Sequence, residues 1–297
     1  MKIAFLILTF VFLLNRPQAQ TDVLRQQITH LIAAKKANIG VAIIGNEGKD
    51  SLSIHGNAHY PMQSVFKFHI VLAVLAEVDK GRWLLDQEMK LKPSDLLPNT
   101  WSPIREHFPK GGKLTLAAII RYTVAQSDNN GCDFLLRLMG GTKAVNDYFK
   151  KNRFPDISIK ATEEAMHKAW DVQFSNWTTP VAACYLLESF YRNREGLLSP
   201  QSHDFLLKTM QETSTGAQRI RGKLPNGAIV AHKTGSSGSN AQGVRAATND
   251  IGIVTLPNGQ QFYISVFVSN STETDEVNEQ IIADIARQVW DYYTGKA

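Results

Sequence analysis

Apolar residues recur along this chain with two periods, and the change from one to the other divides it into three parts. The stretch from Ser64 to Lys80 carries Phe66, Ile70, Leu72, Ala73, Val74, Leu75 and Val78 without a Gly or Pro, and predicts a mostly buried helix. Helical spacing also marks residues 21–37, 114–125, 132–139, 142–150, 180–191, 199–211 and, last, 275–293. Strands are predicted at 38–44 and 51–55, around Gly45-Asn46-Glu47-Gly48, and again at 229–234, 245–256 and 261–269. The order is helix, strands, helical block, strands, helix. It predicts an α+β fold, an antiparallel sheet flanked by helices with an all-helical domain inserted. The expected division is a sheet domain of residues 20–60 and 213–297, a helical domain of 61–212, and an active site between them.

The first residues change the picture of where the protein works. Lys2 is followed by an apolar run from Ile3 to Leu14, broken only by Thr9, and then by Pro17-Gln18-Ala19-Gln20. This reads as a signal peptide of residues 1–19, cleaved after Ala19, and implies export to the periplasm. No cysteine follows for a lipid anchor, and no later apolar run is long enough to span a bilayer.

Composition adds exclusions. A hydrophobic fraction of 43% and a charged fraction of 20% are those of an ordinary globular protein. The formal charge of +5 falls by two, to +3, once Lys2 and Arg16 leave with the signal, too mild to suggest nucleic acid or membrane as a partner. A monomer is expected. Cys132 and Cys184 both sit in apolar helical patterns, so two buried free thiols are expected despite export. His55, His59 and His69 are scattered without metal-ligand spacing, so neither metal nor other cofactor is expected.

Candidate chemistry begins at Ser64-Val65-Phe66-Lys67. Residues three apart share a helix face, so the Lys67 amine would lie beside the Ser64 hydroxyl at a helix N-terminus. A base that takes its proton turns such a hydroxyl into a nucleophile. Ser127-Asp128-Asn129 places a hydroxyl and an amide in a loop after a helix, and Lys233-Thr234-Gly235 lies on an apolar strand. Each has a bland reading alone: a polar first turn, a helix-end turn, an edge strand with a surface lysine. Together and in this order, S-x-x-K, S-D-N and K-T-G are the signature of penicillin-recognising serine enzymes.

On these motifs the chain resembles the class A β-lactamases over essentially its whole mature length. Pro61-Met62-Gln63-Ser64, Asn99-Thr100-Trp101, Asn176-Trp177-Thr178 and Ala231-His232-Lys233-Thr234-Gly235 resemble the PER-like extended-spectrum branch. The resemblance implies the β-lactamase/transpeptidase-like fold and hydrolysis of penicillins and cephalosporins, oxyimino-cephalosporins included. It implies that Ser64 attacks the lactam carbonyl with Lys67 assisting, and that Ser127 passes a proton to the lactam nitrogen in the field of Lys233. The N–H groups of Ser64 and Ser236 would form the oxyanion hole. Asn129 would bind the substrate's side-chain amide and Thr234, Ser236 and Arg219 its carboxylate, with Gly235, Trp101 and His167 completing the site. Glu163 is assigned as the base that activates the deacylating water, with Glu164 as the competing register.

Four positions depart from the commoner class A pattern. His167 stands where asparagine is usual, Ala161 and Asn176 replace an arginine–aspartate clamp, and Asp133 replaces an asparagine that braces the Glu163 loop. An unclamped loop of altered conformation is therefore expected. For Arg219 the alternative is a solvated loop arginine beside Arg221. A D,D-peptidase would share the serine and lysines but lack the base that Glu163 supplies. A β-lactam sensor would stay acylated and normally carry a membrane or signalling segment.

Overall fold

The structure, a computed structural model, describes residues 16–296. Most of the expected signal peptide lies outside the described residues; 16–19 open the first helix. Helix α1 (Arg16–Ala33) leads to the hairpin of β1 (Asn38–Gly45) and β2 (Asp50–Ile54), then to a two-residue strand, β3 (Tyr60–Pro61). The middle of the chain holds α2 (Phe66–Asp79), β4 (Glu88–Leu91), α3 (Pro103–His107), β5 (Gly112–Thr115), α4 (Leu116–Ala125), α5 (Asn129–Met139) and α6 (Thr142–Lys151). It continues through β6 (Ile157–Ser158), α7 (Glu163–Lys168), β7 (Trp177–Thr178), α8 (Pro180–Tyr191) and α9 (Pro200–Gln211). Strands β8 (Ile229–Ser236), β9 (Arg245–Thr255) and β10 (Gln261–Ser271) and helix α10 (Asp275–Tyr293) follow.

One antiparallel sheet runs β2-β1-β10-β9-β8, so the first and last parts of the chain build it together and β8 is left at an edge. Side chains alternate across a strand. Val41, Ile43, Val254, Ile264 and Val266 therefore face α1 and α10, where they meet Leu24, Ile28, Ile282 and Ile285. Their neighbours Ala42, Ile251, Ile253 and Phe267 face the helical block and join its core. Covering both faces explains the unbroken apolar runs of β9 and β10. Burying each such Val, Leu or Ile contributes about 1.5–3 kcal/mol.

Helix α2 runs through the middle of the helical block and is buried from Phe66 to Ala76. A helix buried on all sides is a core helix, and this one holds Lys67 in its first turn and Ser64 on the 3-10 turn just before it, on a rigid support.

Several boundaries differ from expectation for local reasons. Helix α1 stops at Ala33 because β1 must start at Asn38 to pair with Ser269. Helix α4 starts at Leu116 because residues 112–115 pair with β4, after which the Thr115 hydroxyl caps the helix. The sheet β3-β7-β6 has strands of two residues, too short to leave a period in the sequence. It makes the two ends of the segment that carries Glu163 neighbours and sets them beside the strand just before Ser64. Cys132 and Cys184 are buried free thiols.

Candidate active site

Ser64 sits on a turn held from three sides. Residues Gln63–Val65 form a 3-10 turn ahead of α2, with Gln63 in the left-handed region at φ 46°. Gln63 Nε2 donates to Gln173 Oε1 at 2.7 Å, and Met62 N donates to Asn176 O at 2.8 Å. From the sheet, Asn249 Nδ2 donates to Pro61 O (2.8 Å) and Met62 O (3.2 Å). Gly235 lies against the same turn. A Cβ there would stand 2.4 Å from Met62 O, so the K-T-G glycine is required by the close approach of β8.

Lys67 is fully buried, and its ammonium joins the groups around it. Nζ donates to Ser64 Oγ (2.8 Å), Ser127 O (2.9 Å) and Asn129 Oδ1 (2.5 Å), and lies 2.8 Å from Glu163 Oε1. A lysine has three protons to give. All three are directed elsewhere, so the Glu163 contact is an ion pair in which Oε1 receives no aligned hydrogen bond.

Ser127 also has a left-handed backbone, φ 59°, a strain that a serine carries only where its surroundings enforce it. Its Oγ accepts from Lys233 Nζ at 2.9 Å. Lys233 is fully buried, not the surface lysine of the bland reading. Burial, and then the Lys67 charge, push its amine well below the usual lysine range, against the pull of Asp250 and Glu163. The aspartate of S-D-N is structural. Its carboxylate caps α5 at Gly131 N and accepts from Ile104 N, both at 2.7 Å, and from Ser102 Oγ.

The Glu163 loop is clamped, contrary to the sequence expectation. Asn176 Oδ1 accepts from Lys160 N (2.7 Å) and Ala161 N (2.8 Å), while its Nδ2 donates to Ala161 O (2.9 Å). One amide thus holds the loop without a charged partner. Asp133 braces it from below, accepting from Glu163 N (2.7 Å) and Glu164 N (2.9 Å), and Thr162 caps α7 at Ala165 N. Burial raises the Asp133 carboxyl to about 6, with the two N–H bonds opposing and the Glu163 charge adding to the rise. Glu163 is 6% exposed and turned to Lys67. Glu164 faces solvent and pairs with Lys168 at 2.9 Å. His167 is exposed, and its Nε2 lies 3.0 Å from Thr100 Oγ1, which also accepts from Asn129 Nδ2 at 2.7 Å.

Across the cleft, Thr234 Oγ1 lies 2.6 Å from Thr215 Oγ1, and Ser236 Oγ accepts from Arg219 Nη2 at 2.7 Å. Arg219 is not the solvated arginine of the alternative reading. It is 7% exposed, its Nη1 donates to Gly235 O and Asn249 O, and its Nε donates to Glu279 Oε1 at 3.0 Å. Trp101 is 57% exposed, with its indole N–H on Gln126 O at 2.8 Å. Ser64, Trp101, Ser127, Asn129, Thr234 and Ser236 line one cleft of about 240 Å³, which Arg219 also borders. Sequence reasoning did not reach Asn249, Thr215 or Glu279, and it named Thr100 only within Asn99-Thr100-Trp101, without a role. Of the three, only Asn249 carried a signal, as part of the polar run Thr248-Asn249-Asp250 inside an apolar strand.

Comparison with known proteins agrees with this geometry. A family model described as the beta-lactamase enzyme family matches residues 23–293. The chain is 52% identical to beta-lactamase VEB-1 of Pseudomonas aeruginosa, over 99% of this chain and 98% of that protein. It is 39% identical to the extended-spectrum beta-lactamase PER-1 of the same organism, over 92% of this chain and 88% of that one. The crystal structure of the TLA-1 extended-spectrum beta-lactamase superposes with a TM-score of 0.90 at 52% identity, covering 92% of this chain and 99% of that chain. With Ser64 bonded to buried Lys67, Ser127 bonded to buried Lys233 and Glu163 paired with Lys67, the chain belongs to the beta-lactamase enzyme family, in the PER-like branch of class A.

Proposed function

We propose that this enzyme hydrolyses penicillins and cephalosporins, oxyimino-cephalosporins included, through an acyl-enzyme on Ser64, and so confers resistance to them. One observation carries the reading: Lys67 Nζ lies 2.8 Å from both Ser64 Oγ and Glu163 Oε1, joining nucleophile and base. Lys67, having given a proton to Glu163, takes the Ser64 proton as Oγ attacks the lactam carbonyl carbon. The oxyanion meets the N–H groups of Ser64 and Ser236. The C–N bond breaks as Ser127 Oγ gives its proton to nitrogen. A proton from Lys67 restores Ser127, and one from Glu163 restores Lys67. Glu163 then takes a proton from water, whose oxygen bonds to the acyl carbon, and Ser64 Oγ leaves and regains its proton.

Asn129 binds the side-chain amide, and Thr234, Ser236 and Arg219 the carboxylate, with Gly235, Trp101 and His167 around them. The signal-like leader supports a periplasmic enzyme. A monomer is part of the same reading, since one chain supplies every group named. So is the division into 20–60 with 213–297 and 61–212, supported by the core between the sheet and helices α1 and α10, which is drawn from 20–60 and 213–297 alone, while the sheet's other face joins the core of the helical block.

Purified enzyme should turn over nitrocefin and cefotaxime many times after exhaustive EDTA treatment. A single stoichiometric burst would indicate a sensor or a cell-wall target instead. Activity lost to EDTA and restored by zinc would refute the serine mechanism. Hydrolysis of benzylpenicillin with neither cefotaxime nor ceftazidime turned over would remove the extended-spectrum part.

Arg219→Ala should chiefly raise KM for cephalosporins, because its charge meets the carboxylate in ground and transition states alike. It should also lower Tm, since Gly235 O, Asn249 O and Glu279 lose their donor. Steady-state kinetics and a thermal melt check both. An unchanged kcat/KM would leave Arg219 a purely structural residue.

A further inference from the structure

We propose that the deacylating water reaches Glu163 from a second cavity, behind the substrate cleft, between residues 97–100 and α7. The inference rests on the assignment of Glu163 as the deacylating base. Nucleophile and base open to different spaces. Ser64 lines the cleft of about 240 Å³, and Glu163 is absent from its walls. Glu163 instead lines a separate cavity of about 250 Å³, with Thr100, Asn130, Asp133 and His167. Asn129 is the residue common to the two linings, and buried Lys67 joins them by its contacts to Ser64 and Glu163.

Size decides which way solvent comes. Pockets that hold drug-sized ligands run to about 300–1,000 Å³. An acyl group on Ser64 therefore fills the front cleft and leaves no lane for water along it. The second cavity stays open. Its rim residues Pro98, Asn99, His167 and Lys168 are exposed, and Asn130, Asp133 and Glu163 are buried polar residues in a lining that is otherwise largely apolar. A buried water needs two to four polar partners, roughly. Asp133 and the Glu163 carboxylate are buried in its lining, and Lys67 takes up only Oε1 of Glu163, at 2.8 Å, which leaves Oε2 for a water. Substrate and water thus enter by separate routes that meet at the ester carbon, and no ordered solvent has to pass a bound drug.

Leu97 tests this. Its side chain forms part of the cavity wall and takes no part in the catalytic contacts, while its backbone is held by Asn130 and Arg105. Leu97→Trp should fill the cavity. The acylation rate with nitrocefin, read from the stopped-flow burst, should stay within about twofold of wild type. Decay of the acyl-enzyme should slow at least about tenfold, a part of the ~10²–10⁴-fold that a general base contributes, and intact mass should show the adduct. Leu97→Ala, which widens the cavity, should deacylate at the wild-type rate or faster. Lys168→Trp, on the exposed rim, should slow deacylation more mildly, and it carries the test if Leu97→Trp does not fold. Normal acyl-enzyme decay in a folded Leu97→Trp, or in Lys168→Trp where it must stand in, would mean that water enters through the front cleft. Equal losses in acylation and deacylation would overturn the proposal too, as a general distortion. Glu163→Gln separates the two ideas. If it traps the adduct and the filled cavity does not, only the water route fails.

Discussion

Glu163→Gln should convert the enzyme into one that acylates and stalls. The amide keeps the side chain's volume but cannot take a proton from water. General-base catalysis contributes roughly 10²–10⁴-fold, so the adduct on Ser64 should persist long enough to be weighed. Intact-protein mass spectrometry after mixing with a good cephalosporin should show it in the mutant and little or none in the wild type. The fold should survive, although Glu163 is buried rather than in an open polar turn. What holds α7 in place is Thr162 at Ala165 N and Asp133 at Glu163 N and Glu164 N, none of which involves the Glu163 side chain. Lys67 also keeps its three hydrogen bonds. Glu164→Gln should behave as wild type, because that carboxylate pairs with Lys168 in solvent. Adduct trapped by Glu164→Gln alone would reverse the assignment. If neither variant traps it, another group activates the water, Lys67 first.

Lys67→Met should break the other half-reaction and also weaken the fold. The thioether fills the space of the buried stem but moves no proton from Ser64 Oγ, so acylation should fall by about 10²–10⁴-fold with no adduct at steady state. Glu163 would be left buried without its cation. Removing one partner of a buried pair costs about 3–5 kcal/mol, so Tm should drop clearly. Lys67→Met/Glu163→Gln removes both charges and should regain much of that Tm while remaining inactive. A double variant as unstable as the single one would show that the ion pair does not set the cost, and that the lost bonds to Ser127 O and Asn129 Oδ1 do. Together the two positions separate the steps by what accumulates: an adduct without Glu163, free enzyme without Lys67.

The departures from the commoner class A pattern show how far residue identities can be read. Their positions were legible, and the consequence inferred from them, an unclamped loop, was not. An asparagine amide carries a donor and an acceptor, so Asn176 satisfies two N–H groups and one carbonyl of the 160–161 backbone without an arginine. Asp133 has no donor to offer, and it meets only N–H groups of α7. Whether a short polar side chain finds backbone to bind depends on where the loop lies, and two-residue strands decide that.

Local spacing was enough for the chemistry that is local. Ser64 and Lys67 meet because they stand three apart at the start of a helix, Asp128 caps α5 because it precedes that helix, and the alternation of β8 turns Lys233 one way and Thr234 the other. The apolar periods likewise determined the α+β layering, since a helix or strand must bury its apolar face. Contacts across long stretches of chain were not determined in this way. Lys233 reaches Ser127 across 106 residues, Asn249 reaches Pro61 across 188, and Glu163 reaches Lys67 from another helix. These follow from how the sheet edge, α2 and the Glu163 loop pack, as does the burial of Arg219 behind β8. The sequence by itself determined which reactive groups this protein has. Only the tertiary structure decided which space each group faces, because a cavity is what packed layers leave between them and no single segment encodes it.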